Sequence, residues 1–518
     1  MLERNVRRIT SIFLLLLSPL VLPAEASPPL RIRLAQEPDT IWPHATGMAI
    51  ARDVARLVHA GLWRRDEQGG WEPDLAEGLP TLRREGVLWR ARIRLSAGRR
   101  WHDGRPVVAE DLAATWKYLA DPGRSKVLDR SVLDHVRGVE VLGDRVARIT
   151  LDRPVAAWPT AFEAVYPAHL LRDTETWRRT ERQPVGAGSY RLVSWEPGMR
   201  IRLQRVGPAG PADLSLQVIP DDGAAVVALL AGDLDILPGI PAPLLSRVTS
   251  VAGVVIRRAP STFLEAVVWD VRHPVLSQRV VRTALGLVVD RERLVRDAWA
   301  GGALPARSDR VTGAGTAGLM WPVRPDAASA RRLLESAGWR TGPDGVRRKN
   351  GRVLSFTLHM PLGRRSREST AMALRAMWKA LGADVKLQIL HPSQFFAVQG
   401  PLSRPGFGAA LWSWEQDADG DVRNMWRSDR LPPRGGNVSG LQDPVLDQLL
   451  DRVATTPETG LRQTLLERVS RRLREGEVLL PLVVPLQVWA CPKDLQGCGP
   501  RRWSALGNPW NWRSSSSD

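Results

Sequence analysis

The stretch DDGAAVVALLAGDLDIL, residues 221–237, places an apolar helix from about Ala224 to Leu230 directly before Gly232, and a short apolar strand directly after it. Glycine suits the left-handed residue that ends a helix. A helix that stops so sharply and gives way to a strand predicts an α/β layer. The same grammar recurs in RPDAASARRLLESAGWR (324–340), with Asp326 as N-cap, Ala330, Leu333, Leu334 and Ala337 as the apolar face and Gly338 as the stop. Between them, LSQRVVRTALGLVVDRERLVRDAWAGG (276–302) predicts two consecutive helices, the first capped by Ser277 and the second by Asp290, ending at Gly301-Gly302. Further helices are predicted over 369–381, around 443–453 and around 459–474, and a strand over VKLQIL (385–390). Prolines inside VLLPLVVPLQVWA (478–490) predict an edge or crossing strand rather than a helix.

The N-terminal half reads differently. LRIRLAQEPDTIWP (30–43) predicts a first strand, and AIARDVARLVHAGLW (49–63) an amphipathic helix with Ala51, Val54, Ala55, Val58 and Leu62 on its buried face. The next hundred residues are strand-rich. In VLWRARIRL (87–95), Val87, Trp89, Ala91, Ile93 and Leu95 alternate with polar positions, so one face is expected to be buried. A new unit opens at QPVGAGSYRLVSWEPGMRIRLQRV (183–206), two alternating strands about a Glu196-Pro197-Gly198 turn. At 518 residues, two to four structural units are expected.

Residues 1–26 place Arg4, Arg7 and Arg8 before an apolar run that ends at Ala24-Glu25-Ala26. This is the pattern of a cleaved secretory signal, and the run is too short, and broken by Ser18-Pro19, to span a bilayer. In an exported chain the two cysteines, Cys491 and Cys498, suit a local disulfide better than a metal site. A net charge of +18 would fit nucleic acid, but the arginines are spread along the chain among Asp and Glu, and an exported protein rarely meets nucleic acid. Solvated faces are the better reading, and no nucleic-acid partner is expected.

Catalytic spacings are missing: there is no G-x-S-x-G, H-E-x-x-H, Walker-type loop or G-x-G-x-x-G opening a helix. RRWHDGRPVVAEDLAATWKYLADP (99–122) places His102 beside Asp103, yet Asp103-Gly104 is a turn dipeptide. Pro106 follows it, and Leu112, Trp116 and Leu119 line one helical face. Glu110 and Asp111 suit the helix N-terminus, so this is scaffold grammar and His102 is a packing residue.

Six of these stretches, in order, resemble the family 5 extracellular solute-binding proteins, the periplasmic peptide and nickel receptors of ABC importers. They are WEPDLAEGLP (71–80), RRWHDGRPVVAEDL (99–112), PVGAGSYRL (184–192), LLAGDLDI (229–236), RVVRTALGLVVDRERLV (279–295) and ARRLLESAGW (330–339). Val108 departs from the family's Thr and loses a side-chain cap; Trp42 and Leu79 depart as well, from an acidic and an aromatic residue.

The resemblance implies an α/β, two-lobed periplasmic binding protein-like fold of class II type, with an extra inserted domain and a central ligand cleft. After the signal peptide (1–26), lobe I comprises 27–62, 184–262 and 478–518, the inserted domain 63–183 and lobe II 263–477. It also implies a periplasmic monomer that captures a peptide or peptide-like solute and delivers it to the membrane subunits of an ABC permease. No catalytic residue, cofactor or metal is implied.

In peptide-binding members an Asp three residues after a Trp pairs with the ligand's ammonium. LWSWEQDADGD places Trp414 and Asp417 at that spacing, and Asn437 in GGNVSG resembles a position that bonds ligand backbone. The residues alone leave three readings of the loop: a cleft carboxylate at Asp417, a solvated acidic loop, or a Ca²⁺ site built from Asp417, Asp419 and Asp421. A nickel-chelate or other small-solute receptor is the alternative within the family. A secreted hydrolase using the same cleft is the contrasting reading, and it requires a Ser within about 3 Å of His102 or His391.

Overall fold

The computed structural model describes residues 28–67, 69–172, 183–311, 321–322, 324–504 and 506–514. The expected signal peptide and residues 515–518 lie outside them. Among the described residues no helix is long and apolar enough to cross a membrane.

Three sheets organise the chain. The first has the order Leu30–Leu34, Asp213–Val218, Arg200–Arg205, Tyr190–Glu196, with the opening pair parallel and the rest antiparallel. Ile32, Leu34, Ile201, Leu203, Leu214 and Leu216 turn to a core shared with the helix Ala49–Val58. The second sheet, antiparallel, has the order Arg83–Glu85, Leu88–Arg94, Val146–Leu151, Val136–Gly143, and carries the helix Ala109–Ala120.

The third and largest is a seven-stranded mixed sheet ordered Val254–Pro260, Leu479–Pro492, Phe263–Trp269, Ala409–Glu415, Ser355–Pro361, Asp384–Leu390, with Ala303–Pro305 added beside Leu479–Pro492. Ser355–Pro361 and Asp384–Leu390 are parallel, joined by the helix Arg365–Ala380, whose Trp378 is fully buried against Trp269 and Phe356.

Leu479–Pro492 is the crossing strand its prolines suggest, and it is paired along its length rather than at an edge. Leu479–Val483 pairs with Phe263–Trp269, Val483–Pro485 with Ala303–Pro305, and Leu486–Pro492 with Val254–Pro260. A register shift sits opposite Pro481, where a missing N–H interrupts the ladder. The strand's first half belongs to the core around Trp269 and Leu285, and its second half to the core around Ile32.

Several local expectations change. Val87 is exposed because it sits in the tight turn after Gly86, so the buried alternation starts only at Ala91. Ser277 does not cap Arg279–Leu287: its hydroxyl reaches the Pro274 carbonyl instead, and Gln278 occupies the cap position without a side-chain bond. Asp290 does cap, accepting from Arg293 N, but the turn it starts widens to a π-helix over Leu294–Ala298. The helix before VKLQIL begins earlier than read, at Arg365. Val108, without a capping oxygen, is compensated by Asp111, whose Oδ2 accepts from Val108 N at 2.9 Å and from Trp101 Nε1 at 3.1 Å.

Candidate functional site

A cavity of about 980 Å³ is lined by residues from 127–133 and 155–163 and by three further walls that carry most of its charged and aromatic groups. The first wall is the helix Ala49–Val58 with the two-stranded hairpin Trp63–Arg65 and Trp71–Pro73, the second the loop that follows Ala409–Glu415, and the third a C-terminal arm containing Arg502, Trp503 and Trp510.

The second wall is set by a tight turn. Asp417 O accepts from Gly420 N at 3.1 Å and Asp417 Oδ1 from Asp419 N at 3.0 Å, while Gly420 takes a φ of 71°. Asp favours such turns because its carboxylate accepts from the backbone two residues on. The turn sends the acidic side chains in different directions. Asp417 is exposed and lines the cavity.

Asp419 is buried and ion-paired with Arg65, with Arg462 at 3.6 Å. Burial raises the Asp419 carboxyl above its ordinary range, and the proximity of Asp417 adds to this against the pull of Arg65 and Arg462. Asp421 pairs with Arg423 at 2.6 Å. Arg65 and Arg423 thus hold two of the three carboxylates of the D-x-D-x-D loop, which favours the reading of Asp417 as a cleft carboxylate over a shared cation site.

The other predicted ligand residues are placed away from the cavity lining. Trp414 packs against Trp412, centroids 5.4 Å apart, on the apolar face of its strand. Asn437 is fully buried: Nδ2 donates to Arg427 O and Leu441 O, each at 3.1 Å, and Oδ1 accepts from Ser439 Oγ at 2.7 Å. Its bonding capacity is spent on holding the loop. Of the predicted trio, only Asp417 faces the cavity.

Sequence reasoning missed the third wall. Cys491 and Cys498 are disulfide-bonded, and the chain beyond them folds back, with Trp512 Nε1 donating to Gly507 O at 3.1 Å. Trp503 O accepts from Arg56 Nη1 at 3.2 Å, Arg501 pairs with Glu67, and Arg64 lies over the Trp510 ring at 5.5 Å. The signal was present: a cysteine pair immediately before the tryptophan-rich RRWSALGNPWNW marks an ordered, stapled tail.

His44 and His59 line the first wall. Burial lowers the pKa of both, that of His59 to about 3 with His102 and His44 contributing, so both rings are neutral at physiological pH. His102 itself is a packing residue that reaches Gly188 O at 3.0 Å. His391 Nδ1 does meet a serine, Ser393 Oγ at 2.7 Å, but this exposed pair caps the short helix Pro392–Phe395 and does not line the cavity. It lacks the third group that orients the base in a catalytic set.

Residues 70–431 match the profile of the bacterial extracellular solute-binding proteins, family 5, middle region. The chain is a family 5 extracellular solute-binding protein.

It is 23% identical over 474 residues to the oligopeptide-binding protein AppA of Bacillus subtilis, covering 86% of this chain and 84% of that one. It is 21% identical over 490 residues to the glutathione-binding protein GsiB of Salmonella typhimurium, covering 92% of each. The structure of NikZ from Campylobacter jejuni in complex with Ni(L-His) superposes with a TM-score of 0.72 at 23% identity, over 94% of this chain and 99% of that one. This family 5 protein therefore has the two-lobed α/β fold of periplasmic binding proteins, with the cavity as its central cleft. It acts as the solute-binding component of an ABC importer. Family 5 proteins are receptors for solutes.

Proposed function

We propose that this receptor captures short peptide-like solutes in the periplasm, as a monomer, and hands them to the membrane subunits of an ABC permease. The observation that carries the reading is Asp417, a carboxylate open to the cleft and held by a turn rather than by an ion pair. In a partly enclosed site it would bind a ligand ammonium through a charge-assisted bond. Trp414 and Asn437 support it from behind, by packing and by fixing the neighbouring loop. The names of AppA and GsiB, both receptors for peptides, agree with this.

The division into lobe I (27–62, 184–262 and 478–518), an inserted domain (63–183) and lobe II (263–477) belongs to the same proposal. Separate cores around Ile32, around Trp158 and around Trp269 support its three parts, with Leu480, Leu482 and Val483, the start of the crossing strand, packed in the Trp269 core rather than in that of lobe I.

Calorimetric titration with defined short peptides tests the reading on the wild type and on Asp417→Asn. The expected loss is roughly 10- to 100-fold in affinity; undiminished binding by the variant would remove Asp417 from the site. A second reading, a metal chelate, is favoured by the neutral His44 and His59, since neutral imidazole is the ligating form. Titration with nickel and L-histidine in the same experiment separates the two: heat from the chelate and none from peptides selects the second.

A further inference from the structure

We infer that Arg502 is the anion anchor of the cleft, and that the cargo is a short zwitterion whose carboxylate meets this guanidinium while its ammonium meets Asp417. The inference rests on the peptide-like reading and narrows it.

It follows from how charge is distributed around the cavity. Arg56, Arg64, Arg65, Arg99 and Arg423 each hold a carboxylate, on Asp53, Glu72, Asp419, Asp74 and Asp421. Arg430 lies 3.8 Å from Asp429, and Arg52 rests on the Gly47 carbonyl at 3.4 Å. Arg502 is different. It lines the cavity half-buried, no carboxylate or carbonyl among the described residues engages it, and its Nε is buried without an acceptor. Desolvation alone lowers its pKa, with no neighbouring charge to offset the loss. A guanidinium removed from water without a partner is costly, and an anion entering the cleft relieves that cost.

Its position is fixed as a binding group's must be. The arm carrying it is stapled by Cys491–Cys498 and tied to the first wall through Trp503 O and Arg56. The arm also meets the Asp417 loop: at Gly69, a Cβ would come within 3.2 Å of the Trp503 ring and 3.3 Å of Ala418 Cβ. Arg502 and Asp417 both line the cavity and each is the chain neighbour of one of those residues, so both uncommitted charges are carried by walls that come together beside Gly69. One cavity that offers a single free cation beside a free carboxylate among its described lining residues suits a ligand bearing both charges, and a planar guanidinium takes a carboxylate through two parallel bonds.

The test uses the full mature protein and two randomised di- and tripeptide libraries built without Asp or Glu, one of free acids and one of the corresponding C-terminal amides. Captured peptides are quantified by mass spectrometry after gel filtration. The wild type is expected to take free acids about tenfold or more over amides. Arg502→Gln should abolish that preference while still requiring the amine, and Arg502→Lys should keep part of it, which a merely structural arginine would not do.

Equal capture of both libraries by the wild type overturns the proposal and leaves the peptide-like reading standing. A free-acid preference that survives in Arg502→Gln overturns Arg502's role. Capture of neither library overturns both the proposal and the reading beneath it. The wild-type comparison alone decides the zwitterion claim if the Gln variant does not fold.

Discussion

Asp309 shows how a single buried carboxyl just outside the cavity lining bears on its shape. It is buried, its Oδ2 accepting from Ser470 Oγ at 3.0 Å and its Oδ1 from Ser308 Oγ at 3.2 Å, and its carbonyl accepts from Gln416 Nε2. Gln416 Oε1 in turn accepts from Val311 N at 2.8 Å, which sets the residue before Asp417. Burial raises the Asp309 pKa despite these bonds and the nearby Arg310. A carboxyl with a raised folded-state pKa contributes stability that is full below about pH 4, the unfolded value, and is lost as pH rises through the folded pKa. Asp309→Asn, which mimics the protonated form, should therefore melt about 2 °C above the wild type at pH 7.5 and lose that advantage at pH 4. An equal gain at both pH values in thermal unfolding would contradict this. At this scale the sequence was only partly informative. The Asp417 spacing is local and legible, whereas the inward turn of Asp419 depends on Arg65, 354 positions away, which no short-range pattern encodes.

Among the elements, the motif PVGAGSYRL acquires a packing reason. A Cβ at Gly186 would lie 1.8 Å from Val58 O, and one at Gly188 2.4 Å from Leu57 O, because this loop lies directly on the end of the helix Ala49–Val58. Gly188 N donates to Val58 O at 2.9 Å, and Gly186 O accepts from His102 N at 2.8 Å. Two separate motifs, one with Gly186 and one with His102, thus form a single junction behind the first wall of the cleft. Gly186→Ala should cost about 3 kcal/mol by displacing that backbone contact, while Gly78→Ala, in open space and without a left-handed φ, should cost clearly less. Chemical denaturation of both variants compares them, and equal costs would show that the close approach is not what the glycine serves.

Capped and glycine-stopped helices were legible here: Asp326 and Asp290 cap as the sequence suggests, and Gly232 ends its helix at a φ of 76°. The Ser277 cap and the buried face at Val87 failed because each depended on where a neighbouring turn fell, which tertiary packing decided.

At the scale of the whole molecule, the cleft is closed by contacts that bridge distant segments. Arg65 reaches Asp419 while lying 3.5 Å over the Trp71 ring, and Ala156 N donates to Ala454 O at 2.8 Å. The chain passes between the sheets through Leu479–Pro492 and the turn between Pro260 and Phe263, and these backbones would absorb an opening motion. A ligand that touches both walls favours the closed state by its differential contacts.

The two-lobed architecture was legible because short motifs recur along the chain in a family order, while the third wall was not, since its role depends on a disulfide and on contacts with Arg56 and Glu67. The central claim is that this cleft holds a short peptide-like solute by its ammonium. Mass spectrometry of small molecules released by mild denaturation from the protein purified out of the periplasm of an expressing host tests it most directly. Short molecules with a free amine and amide linkages are the predicted result; recovery of a metal chelate or a sugar in their place would contradict it.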